Sequence, residues 1–334
     1  MPFAHIMGTG SAVPEFILDN QGLEKIVDTS DEWITRRTGI KQRRVAKLEN
    51  GETTASLGTR AARDALAMAN LQPDQLDTII TATVTADRIF PSAACMIQKE
   101  LEAFNAAAYD VSAGCSGFVY ALEIANNSIK AGAARNILII GAERLSALLN
   151  WTDRGTCVLL GDGAGAVVVS SRNEAGGILS THIKSDGRFW DLLYAEDGSF
   201  PLPESLAGAY NMPFHLKMEG NRLFKQAVPC MSHIAEQALA QTGLTRDDIR
   251  IVIPHQANLR IIQAVSERLK IPMERFFTNV DKYGNTSSAS IPIAMDEANR
   301  QGCLHKGDHV LLVSFGAGLT WGATVVQWSS GRLP

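Results

Sequence analysis

The chain contains a long internal copy of itself. Ala62, Ala65, Leu66, Ala67, Leu71 and Asp74 recur as Ala235, Ala238, Leu239, Ala240, Leu244 and Asp247, each pair 173 positions apart. Thr78-Ile79-Ile80 falls on Ile251-Val252-Ile253 at the same offset. So do Ala121, Glu123, Ala125 and Asn126 on Ala294, Asp296, Ala298 and Asn299, and 136–140 on 309–313. A register held without a gap over this span marks a twofold duplication, not a short-period solenoid. The chain is therefore expected to build two similar units, 1–172 and 173–334, that bury surface against each other.

Each unit has the same order of elements. A helix (54–70, 221–242) leads to an apolar strand (78–84, 250–253), then a second helix (116–131, 287–301), a second strand (135–141, 308–314) and a third (165–170, 323–328). Strands alternating with helices predict βαβ units. Their continuous Ile/Val/Leu character predicts burial on both faces, and a hydrophobic content of 46 % is enough to supply such a core. The expected fold is α/β, a five-layered αβαβα arrangement of two duplicated halves with mostly parallel mixed sheets. The segment 186–215, rich in Gly, Pro, Asp and aromatics, breaks the pattern and reads as a long surface excursion.

Several function classes are excluded. A net charge of −4 gives no overall nucleic-acid footprint. The five cysteines, 95, 115, 157, 230 and 303, form no CxxC pair, so neither a disulfide framework nor a metal site is suggested. No stretch approaches the roughly 18 apolar residues of a membrane span. No basic, then apolar, leader opens the chain, and a cytoplasmic protein with reduced thiols is expected.

Three residues stand in telling local settings. Cys115, in Gly114-Cys115-Ser116-Gly117, precedes a helix whose apolar positions Phe118, Leu122, Ala125 and Ile129 recur at helical spacing. A thiol there meets the positive end of the helix dipole, which favours the thiolate; a buried structural cysteine is the alternative. His255 follows a strand and Pro254, at the strand end where α/β proteins bind ligands; alone it could equally be structural. Asn285 follows Gly284 and could be a turn residue or cap. The offset maps Cys115 onto Ser288, three residues after Asn285, so thiol and carboxamide can face one cavity. Gly8-Thr9-Gly10 and Gly161–Ala166 lack the lysine of a phosphate loop and read as close backbone packing.

These motifs, with Asp31-Glu32-Trp33-Ile34, Arg37-Thr38-Gly39-Ile40, Phe90-Pro91-Ser92, Asp153-Arg154-Gly155, His255-Gln256-Ala257-Asn258 and Thr320-Trp321-Gly322, resemble β-ketoacyl-acyl carrier protein synthase III of the thiolase superfamily over nearly the whole chain. The resemblance implies a decarboxylating condensation that initiates fatty acid synthesis. Cys115 would take an acyl group from acyl-CoA; His255 and Asn285 would stabilise the enolate of malonyl-acyl carrier protein; and the N–H groups of Cys115 and Ala317 would form an oxyanion hole. It also implies CoA contacts by Trp33, Arg37, Arg154, Asn221, Phe224 and Asn258, and an acyl pocket shaped by Phe315 and, across a dimer interface, by Phe90. Acyl carrier protein would dock on Gln256, Ala257, Asn258, Leu259, Arg260 and Lys225. A homodimer is implied, with no metal or redox cofactor. A secondary-metabolite condensing enzyme with another primer, or a non-catalytic partner of the same fold, stays open.

Overall fold

The structure, a computed structural model, describes residues 2–195 and 216–329. Its main strands are β1 (Phe3–Ala12), β2 (Thr78–Ala82), β3 (Ala107–Val111), β4 (Asn136–Arg144), β5 (Asp162–Arg172), β6 (Gly177–Ser185), β7 (Ile249–Pro254), β8 (His309–Gly316) and β9 (Thr320–Gln327). Its main helices are α1 (Asp31–Thr38), α2 (Thr54–Ala69), α3 (Ala93–Leu101), α4 (Gly117–Lys130), α5 (Gly220–Thr242), α6 (Leu259–Leu269) and α7 (Ser290–Arg300).

Two sheets result. The first runs β1-β5-β4-β2-β3 and the second β7-β8-β9-β6. The strands flanking crossover helices pair in parallel: β4 with β2, β2 with β3, and β7 with β8. The remaining pairs are antiparallel. Each sheet is thus mixed, and parallel pairs are not the majority. The cause is local for β8 and β9: three residues, 317–319, join them, too few for a parallel crossover.

The five layers follow from the burial pattern. Helices α4 and α7 lie between the sheets. Phe118, Leu122, Ala125 and Ile129 from one, with Ile291, Ala294, Met295 and Ala298 from the other, share one core with Ile80, Ile139 and Val167 of the first sheet and Ile253 and Leu312 of the second. Burying a side chain such as Phe118 contributes about 1.5–3 kcal/mol, and its truncation to alanine would cost about 3–5 kcal/mol. Helices α2 and α3 cover the outer face of the first sheet, and α5 and α6 that of the second. Backbone approaches within the fold are tight. A Cβ on Gly165 of β5 would fall 2.5 Å from the Ile293 nitrogen of α7, so glycine lets helix and strand touch there.

Two departures from the expected boundaries matter for the site. Strand β2 ends at Ala82, not 84, because Thr83–Thr85 bends round the buried Glu143 carboxyl. The helix expected from 287 begins at Ser290, after a 3-10 turn at Ser287–Ala289. Of the 186–215 excursion, 196–215 lies outside the described residues. Its two feet, Leu193–Ala195 and Leu216–Met218, pair as a small antiparallel sheet.

Candidate active site

Cys115 sits on the 3-10 turn Gly114–Ser116, which runs directly into α4. Gly114 adopts φ 53°, in the left-handed region. A Cβ on Gly114 would lie 2.9 Å from the Ala317 nitrogen, and one on Gly316 would lie 2.5 Å from the Cys115 nitrogen. These glycines let the end of β8 lie backbone-to-backbone against the cysteine turn, which brings the Cys115 and Ala317 amides together.

Burial pushes the Cys115 thiol up to about 11; the Ser287 hydroxyl pulls it down, and a charge on Glu143 would push it up further. The free thiol is therefore protonated at neutral pH, and the helix N-terminus alone does not deliver the thiolate expected of this turn.

His255 follows β7, and its amide donates to the Val313 carbonyl at 2.8 Å. It is almost fully buried. Its Nδ1 lies 2.6 Å from the Ser290 hydroxyl, which also accepts from the Gln256 N–H at 3.3 Å. Burial lowers its pKa to about 3, so the imidazole is neutral through the physiological range.

Asn285 is locked through its backbone: its N–H donates to the Leu159 carbonyl at 2.8 Å, and its carbonyl accepts from Gly161 at 3.0 Å. Its side-chain Oδ1 accepts from the Ser287 N–H at 2.8 Å, which leaves the Nδ2 hydrogens for the cavity. Ser287 holds φ 50°, an uncommon left-handed conformation for a residue with a Cβ.

Cys115, His255 and Asn285 all line one cavity of about 140 Å³, together with Phe224, Ala257, Asn258 and Phe315. A second, largely apolar cavity of about 160 Å³ also opens on Cys115 and Asn285, lined by Val84, Leu145, Leu148, Leu160 and Ala317. Both feet of the 186–215 excursion contribute to it. Farther out, Trp33, Arg37, Asn221 and Arg260 share a surface trough of about 870 Å³. There the Arg37 and Arg154 guanidinium carbons lie 5.0 and 5.3 Å from the Trp33 ring centroid.

Two placements, those of Gln256 and Phe315, differ from expectation. Gln256 is 1 % exposed. Its amide donates to the Pro254 and Phe277 carbonyls and accepts from Asn279 N–H, so it fixes the loop and presents nothing to a partner. Phe315 borders the cavity of the three polar residues, not the larger apolar one. Phe90, expected to reach across a dimer interface, is 83 % exposed and lines neither cavity of its own chain. Lys225 and Arg260 are exposed, Ala257, Asn258 and Leu259 half-buried, and Asn258 caps α6. Sequence reasoning missed Ser287, Ser290 and Glu143, whose partners are distant or identified only by the folded turn.

A thiol, a neutral imidazole and a carboxamide on one cavity, within a duplicated five-layered α/β fold, define a condensing enzyme of the thiolase type. The family model for 3-oxoacyl-[acyl-carrier-protein] synthase III matches residues 109–187, and the model for its C-terminal part matches 239–328. A beta-ketoacyl-[acyl-carrier-protein] synthase III of Caldanaerobacter subterraneus subsp. tengcongensis is 52 % identical over 326 residues, covering 98 % of each chain. The crystal structure of the synthase III of Aquifex aeolicus superposes with a TM-score of 0.91 at 48 % identity, covering 97 % of this chain and 100 % of that one. The priming beta-ketosynthase of the R1128 polyketide pathway superposes at 0.92 with 34 % identity, covering 99 % and 97 %. The chain belongs to the 3-oxoacyl-[acyl-carrier-protein] synthase III family.

Proposed function

We propose that this chain is the acyltransferase that makes the first carbon–carbon bond of fatty acid synthesis, joining the acyl group of an acyl-CoA to malonyl-acyl carrier protein. The observation that carries the reading is the convergence of Cys115, His255 and Asn285 on one cavity from three separate turns.

In the first half-reaction the Cys115 sulfur attacks the thioester carbonyl. The Cys115 and Ala317 amides hold the tetrahedral oxyanion. The C–S bond to CoA breaks, and the thiol's proton leaves with CoA as its thiol. The acyl chain enters the apolar cavity between Leu145, Leu148 and Leu160. In the second, the C–C bond to the malonyl carboxylate breaks and CO2 departs. The electron pair moves onto the thioester carbonyl as an enolate, held by two neutral donors. Asn285 supplies Nδ2–H, because its Oδ1 is engaged by Ser287. His255 supplies Nε2–H: Gln256 N–H can only donate to Ser290, so Nδ1 is the acceptor among the described contacts of the Ser290 hydroxyl proton, an arrangement that places the ring proton on Nε2. The carbanion then attacks the acyl-Cys115 carbonyl, the C–S bond to Cys115 breaks, and the leaving sulfur takes a proton from solvent as the 3-oxoacyl product departs. Both half-reactions balance with the two thioesters and one solvent proton, with no change of oxidation state.

Ser290 gains a testable role. Ser290→Ala is expected to slow condensation about tenfold while acylation of Cys115 is retained. Equal rates for mutant and wild type in single-turnover condensation would remove Ser290 from this role.

The same reading assigns the outer contacts. CoA's adenine meets Trp33, Arg37 and Arg154, and its pantetheine passes Asn221, Phe224 and Asn258. The acidic carrier protein is steered by exposed Lys225 and Arg260 beside Ala257, Asn258 and Leu259. A homodimer is supported by the edge position of β3 and the exposed Ile89, Phe90, Phe104 and Tyr109 around it. Phe90, unused by its own chain's cavities, would then be available to the partner's. Among the described residues, no helix is long and apolar enough to cross a membrane.

The test is intact-protein mass spectrometry after incubation with a panel of acyl-CoAs. One acyl adduct per chain, mapped to Cys115, is expected, and the primers that react report the length the apolar cavity accepts. A chain that takes no adduct from any acyl-CoA, from acetyl upward, does not run this first half-reaction.

A further inference from the structure

Glu143 is a carboxyl that the mechanism above does not use. It ends β4 with no exposed surface. Among the described residues, the groups acting on it are Thr85, Ser288, Val84 and Thr83, with no cation. Its neighbour in sequence, Arg144, acts on Asp162 instead. The 83–85 loop gives it two hydroxyls and an N–H, and the 287–289 turn gives it the Ser288 hydroxyl. From the start of α4, the titratable group that feels it is the Cys115 thiol.

Counting protons assigns its state. The Ser288 Oγ lies 2.8 Å from the Ala82 carbonyl oxygen and 2.8 Å from Glu143 Oε1. A hydroxyl carries one proton, and a carbonyl can only accept. With an ionised carboxylate one of these two contacts would lack a proton; with a protonated carboxyl the Ser288 proton serves Ala82 and the carboxyl proton serves the Oε1 contact, so both are satisfied. Oε2 remains free to accept from the Thr85 hydroxyl and from Val84 N–H at 3.1 Å.

We propose that Glu143 is kept as a neutral carboxylic acid and acts as a positioning residue, tying the 83–85 loop of the first half to the Ser287–Ser288 turn of the second. From that turn, Ser287 reaches both functional groups: its N–H holds Asn285 Oδ1, and its hydroxyl meets the Cys115 thiol. Burial raises the Glu143 pKa above the ordinary 4.5, in accord with the proton count. The neutral form, and the stability it confers, are fully present below that value and are lost as pH rises through the folded-state pKa. Ionisation would remove the donor to Ser288 and place a negative charge facing the thiolate. The inference rests on Cys115 being the acylated thiol for its catalytic meaning, but not for the protonation state.

Two measurements on the full chain test it. Infrared difference spectra of wild type and Glu143→Gln at neutral pH should show a protonated-carboxyl C=O stretch that the variant lacks. The pH profile of Cys115 alkylation by iodoacetamide should rise less steeply on the alkaline side in wild type than in Glu143→Gln, where no charge can form. Glu143→Ala, which removes the bridge, should lose about ten- to a hundredfold in condensation, and more than Glu143→Gln. Absence of the carboxylic band in wild type, or superimposable alkylation profiles, overturns the proposal. Should Glu143→Gln fail to fold, the wild-type band and its titration decide alone. Should Cys115 take no acyl group, the band still reports on Glu143, so the two readings fail separately.

Discussion

Cys115→Ala is expected to abolish the acyl adduct and to lower condensation by at least about 10⁴-fold, while CO2 is still released from the malonyl thioester. The two losses separate because the groups sit on different turns. Cys115 belongs to the start of α4, whereas His255 and Asn285 are held by β8, Ser290, Leu159 and Gly161. Removing one sulfur leaves those supports in place, so enolate formation continues without an electrophile to consume the carbanion. Parallel assays of CO2 and 3-oxoacyl product check this. Decarboxylation that vanished together with condensation would show that Cys115 also shapes the enolate site.

Asn285→Ala is expected to do the reverse. Acyl-Cys115 still accumulates, and condensation falls about 10²–10³-fold, the usual cost of one preorganised donor. Its backbone contacts to Leu159 and Gly161 do not depend on the side chain, so the turn should persist. Asn285→Asp is the sharper variant. It keeps the shape and the Ser287 contact but sets a carboxylate against the developing enolate, and it should be slower than alanine. Faster turnover by aspartate than by alanine would show that shape, not donation, is what Asn285 contributes.

Much of this was written in the sequence because it is local or periodic. The constant offset disclosed the duplication, and helical spacing after Cys115 placed the cysteine at a helix start. The strand ends at His255 and the turn at Asn285 followed from Pro254 and Gly284. What remained hidden depends on long separations. Glu143 meets Ser288 across 145 positions, and His255 meets Ser290 across 35; a serine among serines carries no mark of which one matters. Gln256 misled because it stands beside a functional histidine, yet its amide is spent on three backbone groups. The thiolate expectation weighed the helix end but not the enclosure around the sulfur, which pushes the thiol's pKa up. The antiparallel return of β9 was hidden because apolar runs do not encode strand direction.

The seam between the halves has two corresponding corners. At one, Cys115 and His255 border a common cavity. At the other, the same offset places Ser288 opposite Ala82, and those two are simply bonded to each other. Had the molecule been an assembly of identical half-length subunits, every change at one corner would have been imposed on the other. Covalent fusion released that constraint, so one corner could become reactive and the other a brace. One acyl group per chain is the expected load, and installing a second thiol at Ser288 would weaken the brace beside the first.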